Sequence, residues 1–190
     1  MAGDLGAGGS QVHEKAREVL DFWFDLSTER QFAKDEALDR EIDERFGGMR
    51  VAVVRTRAAD WRGEPDALLA AIILVDQFSR NLFRGDAEAF AHDDLAAELT
   101  LLAIERGWDD RYAPERRAFL YMPLMHAEEA GLQRLSVAKF AALGREHNLA
   151  FAREHAEVFE RFGRFPSRNA ALGRETTAEE QAWLDAGGGW

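Results

Sequence analysis

Residues 67–75 read ALLAAIILV, nine apolar side chains in a row. A helix that is apolar on all sides can face only other protein, so this stretch belongs at the centre of whatever the chain builds. Pro65 suits the first position of such a helix, where its missing N–H would have had no partner, and Asp66 complements the positive end of the helix dipole. The segment therefore predicts a central, buried helix, and the remaining chain has to surround it with helices that are apolar on one face.

The flanking patterns supply those faces. QVHEKAREVLDFWF puts Val12, Ala16, Val19, Leu20 and Trp23 on one helical face, and the aromatics of DFWF read as core. DEALDREIDERF repeats Leu38, Ile42 and Phe46 at a spacing of four. Gly47 and Gly48 are expected to interrupt that helix, with MRVAVVRTRAADW resuming toward Trp61. Thr28 with Gln31 is a weak capping signal. Asp86 is expected to cap a helix running through Phe90, Leu95, Leu99, Leu102 and Ile104 to Gly107. A further helix starts near Pro114, and Pro123 inside it removes a donor and predicts a kink. A long helical segment from Leu132 to Phe162 should break near Gly144 and end at Gly163 and Pro166. Thr176 with Glu179 and Thr177 with Glu180 form two overlapping capping boxes. No segment alternates apolar and polar residues over any length. The fold class is all-α, with about seven to nine helices in packed pairs. Residues 11–190 are expected to form a single domain, and residues 1–10 a flexible, Gly-rich tail without the features of a signal peptide.

Composition narrows the partners. The chain has 190 residues and a formal charge of −11, so the basic footprint of a nucleic-acid binder is missing. No apolar run approaches the roughly 18 residues of a membrane helix. Cysteine is absent, which removes disulfides and thiolate metal sites and agrees with a reducing, cytoplasmic setting. No phosphate loop, dinucleotide fingerprint or nucleophile elbow is present, and no cofactor is expected. The RGD at 84–86 reads as three common residues between helices.

Three groups of residues could carry chemistry. DQFSRNLFRGD, at positions 76 to 86, is echoed 88 residues later by RFPSRNAALGR. The first phrase supplies Asp76, Gln77, Arg80, Asn81 and Arg84. Asp76 and Arg80 can pair on one helix face, and Arg offers a planar fork suited to a carboxylate or phosphate. The second phrase supplies Arg164, Arg168, Asn169 and Arg174, with Arg161 just before it. For each phrase taken alone, the first reading is an Arg-centred network that locks a helix end, with the anion site as the sharper alternative. The third group is His126, Glu128, Glu129 and His155. His126 and Glu129 can face one way, as an acid–base pair or metal ligands would. A carboxylate-bridged metal bundle would need a second such motif, which the chain lacks, so no metal is expected. The catalytic candidates are His126, Glu129 and His155. The ligand-binding candidates are Asp76, Gln77, Arg80, Asn81, Arg84, Arg164, Arg168 and Asn169. The two Arg-Asn phrases are expected to meet in space.

The segments VLDFWF, IILVDQFSRNLFRGDAEAFAHD, FLYMPLMHAEE and RFGRFPSRNAALGRETTAEEQAWL together resemble the bacterial family called domain of unknown function 924. The resemblance runs over roughly residues 16 to 186. It implies a tetratricopeptide-like fold of helix pairs stacked in a right-handed superhelix, although no repeat of about 34 residues is evident. The family has no settled activity. The chain departs from the family pattern at Ser79, often Pro, at Ser167, commonly His, and at Ala127, often Ser. A base supplied by that His is therefore not open to this chain. The leading functional expectation is a binding module for a peptide carboxylate or small anion in an Arg-lined groove. An enzyme using His126, Glu129 and His155 is the second, and a purely architectural role for the Arg-Asn phrases is the third.

Overall fold

A computed structural model describes residues 5–189. Eleven α-helical segments appear among them: α1 (Leu5–Asp25), α2 (Thr28–Phe32), α3 (Glu36–Ile42), α4 (Gly48–Arg55), α5 (Pro65–Val75), α6 (Gln77–Leu82), α7 (Asp93–Glu105), α8 (Pro114–His126), α9 (Ala130–Leu143), α10 (Glu146–Phe162) and α11 (Ala178–Asp185). A π-helical turn, Asp43–Gly47, joins α3 to α4, and α5 meets α6 at Asp76, so the described residues form nine helical rods and no strand.

The apolar run forms α5, with Pro65 at its start and every side chain from Ala67 to Val75 buried. Helices α1, α4, α6, α7 and α8 all pack against it. The face of α1 follows the sequence pattern, with Ala16, Val19, Leu20 and Trp23 buried. Aromatic side chains from four helical segments join this core. Phe78 lies 5.2 Å from Phe46 and 5.6 Å from Trp23 between ring centroids. Trp23 in turn meets Phe119 edge-on at 5.6 Å, the offset geometry that aromatic quadrupoles prefer. Beyond this core, α7, α8, α9 and α10 pack each on the next.

Several local expectations change. Gly47 and Gly48 do not break the helix, because the π turn carries the chain through and keeps Phe46 buried with Leu38 and Ile42. The following helix stops at Arg55, well before Trp61, and Arg57 and Ala58 take left-handed backbone angles. Ser27, not Thr28, caps α2, and Gln31 instead donates to the Trp23 carbonyl at 2.8 Å. Asp86 caps only a short 3-10 turn, and α7 begins at Asp93. Of the two capping boxes, the Thr177–Glu180 pair forms. Helix α1 already begins at Leu5, inside the stretch expected to be a tail, and residues 1–4 of that stretch lie outside the described residues. Gly144 and Gly163 end α9 and α10 in left-handed conformations, as their positions required. Pro123 is accommodated within α8, which ends at His126. No helix among the described residues is long and apolar enough to cross a membrane.

Candidate functional site

The site starts at the break between α5 and α6. Asp76 occupies that break and is fully buried. A lone buried carboxylate would be costly, so its partners decide what it does. Arg80, one turn on, approaches Oδ1 at 3.0 Å and also donates to the Asp76 carbonyl at 3.1 Å. Gln77 Nε2 donates to Oδ2 at 2.6 Å, and His126 Nδ1 lies 2.8 Å from Oδ1. Burial is the largest influence and pushes the Asp76 carboxyl upward, but Arg80, His126 and Gln77 together outweigh it and hold the group well below the usual carboxylate range.

Arg80 reaches further, to Asp93 at the first turn of α7. Its Nη2 donates to both carboxylate oxygens, at 3.1 and 3.0 Å. Arg168, from the second Arg-Asn phrase, donates to the same Asp93 at 3.0 Å and to the His126 carbonyl at 2.9 Å. The Arg168 guanidinium lies between Phe90 and Phe165, 4.6 Å from each ring centroid. The two phrases thus meet at one acid. Asp93 occupies the place expected for an external anion, and the two arginines are neutralised by two aspartates within the protein.

His126 closes α8 beside this cluster. Burial, followed by Arg80, lowers its pKa, with Asp76 opposing. The His155 ring centroid lies 6.0 Å away. His155 donates from Nδ1 to the Phe151 carbonyl at 2.8 Å, and burial pushes its pKa down to about 3. Both imidazoles are therefore neutral near pH 7. The expected pairing of His126 with Glu129 does not form. Glu129 is the N-cap of α9 and accepts from Gly131 and Leu132, because the chain turns away directly after His126. Among the described residues no three His, Asp or Glu side chains converge as metal ligands would.

Above the cluster lies an open cleft of about 780 Å³. Gln77, Arg80, Asn81, Arg84, His126, His155 and Arg168 line it. Asp76 sits behind that wall. At the rim, Arg84 forks onto Asp39 at 2.7 and 2.9 Å, and Asn81 donates to the same carboxylate at 2.8 Å. Ser79 faces away, accepting from buried Arg50 at 2.9 Å. The rest of the second phrase serves another purpose. Arg164 forks onto Glu180 at 2.6 and 2.8 Å, and Asn169 is buried among Arg174, Thr176 and Glu180. Arg174 binds Glu128 at 2.6 and 3.0 Å, which fastens the C-terminal segment to the start of the α8–α9 turn. Arg164 and Asn169 thus lie outside the cleft lining.

The sequence reading missed the apolar wall of the cleft: Phe32, Phe90, Met122, Met125 and Phe151. Phe32 and Phe151 are 55% and 38% exposed, a signal that composition and periodicity could not carry. Asp93 was missed as well, because an acid in the first turn of a helix is commonplace.

The molecule is thus an all-helical protein with an open, partly apolar cleft above an internally neutralised arginine cluster. The chain belongs to the family described as bacterial protein of unknown function (DUF924), whose pattern matches residues 19–188. It is also similar to the solved structure of a protein of unknown function from Agrobacterium tumefaciens. That protein is 38% identical, and the match covers 92% of this chain and 99% of the other with a TM-score of 0.88. No curated protein matches the chain.

Two predictions follow from these pairings. Arg80→Ala leaves Asp76 and Asp93 without their shared partner and is expected to cost about 3 kcal/mol, the scale for breaking a buried pair. Urea denaturation checks this, and an unchanged midpoint would remove the cluster from the stability of the fold. Arg164 and the capping box lower the Glu180 carboxyl from 4.5 to about 2. A depressed acid stabilises the fold above its unfolded value, so this contribution is complete above pH 4.5 and disappears as pH falls toward 2. Glu180→Gln is therefore expected to be less stable at pH 7 and to lose less on acidification across that window, measured by thermal melting at stepped pH.

Proposed function

We propose that the protein is a binding module whose cleft holds a small amphipathic carboxylate or a peptide end. The observation that carries this reading is one cavity lined by an apolar wall and edged by cations. Phe32, Phe90, Met122, Met125 and Phe151 offer a surface for the body of such a ligand, in a volume typical of small-molecule sites. Lys34 and Arg84 stand on the same lining. Lys34 makes no ion pair among the described residues, and Arg84 is one-third exposed on its side chain. The anion contact is assigned first to Lys34 and then to Arg84, which shares its fork with Asp39 but stays exposed at the rim, whereas Arg80 and Arg168 lie deeper and are held by Asp93. The serial packing of α7 to α10 supports a tetratricopeptide-like scaffold for this role, with the cleft as its concave side.

Calorimetric titration of 3-phenylpropionate and of short peptides with a C-terminal aromatic residue tests the reading. Arg84→Ala is expected to weaken binding roughly tenfold, the scale of one hydrogen bond to a charged group. Arg161→Ala, exposed and outside the cleft lining, is the control and leaves the affinity unchanged. Equal affinity in all three proteins would separate the arginine rim from ligand binding.

A catalytic reading draws on one observation, the Asp76–His126 pair, in which a buried carboxylate orients an imidazole beside a cleft. Its test is a screen of ester and amide substrates. Turnover that survives His126→Ala removes His126 from the chemistry.

A further inference from the structure

His126 gives the cleft floor a definite hydrogen-bonding polarity. Asp76 is ionised and can only accept, so the proton of the His126–Asp76 hydrogen bond resides on Nδ1. The ring is neutral, so Nε2 carries a lone pair and no proton. Nε2 makes no hydrogen bond among the described residues, and it is not sealed from solvent. The ring itself lines the cleft, with its Nδ1 edge turned against Asp76.

The neighbouring donors are already engaged. Arg80 is held by Asp76 and Asp93, and Arg168 by Asp93 and the His126 carbonyl. Gln77 turns its amide N–H toward Asp76 and Met122. The open polar valence offered by this histidine is therefore an acceptor, and an acceptor beside an apolar wall favours a ligand that brings a donor.

The kind of donor follows from the surrounding charge. Asp76 and Asp93 are already paired with Arg80 and Arg168, so an ammonium beside His126 would lose its hydration and meet no free carboxylate. Burying a neutral hydroxyl that donates to Nε2 costs less than burying an ammonium without a counter-charge. We propose that the cleft selects a hydroxy acid with an aromatic or branched apolar side chain, its hydroxyl donating to His126 Nε2 and its carboxylate facing Lys34 and Arg84. The proposal rests on the binding reading above and adds the identity of the polar group.

A matched set of ligands tests it on the unaltered protein. 3-Phenyllactate and 3-phenylpropionate differ by one hydroxyl, and phenylalanine carries an ammonium in its place. Calorimetry at pH 7 is expected to rank phenyllactate about tenfold tighter than phenylpropionate, the value of one hydrogen bond at a site that otherwise leaves its acceptor unpaired. Phenylalanine is expected to bind more weakly than phenyllactate. In His126→Phe, shown by circular dichroism to be folded, the two acids are expected to bind alike.

Equal affinities for phenyllactate and phenylpropionate in the unaltered protein overturn the hydroxyl assignment and leave the binding module standing. Tightest binding of phenylalanine overturns the choice of a neutral donor. Failure of all three to bind overturns both the hydroxyl assignment and the carboxylate-binding reading beneath it. A hydroxyl preference that persists in folded His126→Phe overturns the role of His126.

Discussion

One carboxylate, Asp93, holds together three parts of the chain that are far apart in sequence. It stands at the first turn of α7, accepts both oxygens' worth of contact from Arg80 on α6, and receives Arg168 from the turn after α10. Helix α8 joins through the carbonyl of its last residue, His126, which accepts from the same Arg168. Four elements converge where two positive and two negative charges cancel. A cluster of this kind is stable only as a complete set, because removing one member leaves a partner charged and desolvated. The cleft above it inherits that rigidity. Its floor is held by charge-assisted hydrogen bonds, while its apolar wall runs from the buried Met122 and Met125 out to the exposed Phe32 and Phe151.

This balance also separates the arginines by role. Arg80 and Arg168 share an internal anion, Arg164 and Arg174 hold the C-terminal segment through Glu180 and Glu128, and Arg84 stands at the rim. The side chains look interchangeable in sequence, but the acid each one meets gives it a different function. A surplus of acids across the chain, 35 against 24 basic residues, makes such internal pairing easy to satisfy. It also explains why local arginine density alone is a poor guide to an anion site.

The helices were legible because burial on one helical face leaves a period in the sequence. Residues 67–75, the Leu38–Ile42–Phe46 series and the face of α1 from Ala16 to Trp23 emerge buried as their spacing implied, with Val12 partly buried at its edge. The junctions were less legible, since a π turn at Asp43–Gly47 and the left-handed Arg57 and Ala58 leave no periodic trace. Within the candidate site, sequence brought attention to Asp76, Arg80, His126 and Arg168, which do lie together. It could not choose their partners. Glu129 looked like the mate of His126 by spacing, but spacing reports a shared face only while the helix continues, and α8 ends at His126. Asp76 takes that place from a position 50 residues earlier, a choice that depends on how α5 and α8 approach one another.

The distance in sequence between Asp93 and Arg168, 75 residues, has a consequence for how the molecule is made. The ribosome releases α5, α6 and α7 long before the turn that carries Arg168. The helices around α5 can collapse on their apolar faces as they emerge, but the floor of the cleft lacks its second guanidinium until the turn after α10 has been translated. The core is thus laid down early in biosynthesis. The neutral charge cluster that gives the cleft its shape is completed only after α10, by the same segment that Glu128 and Glu180 fasten in place.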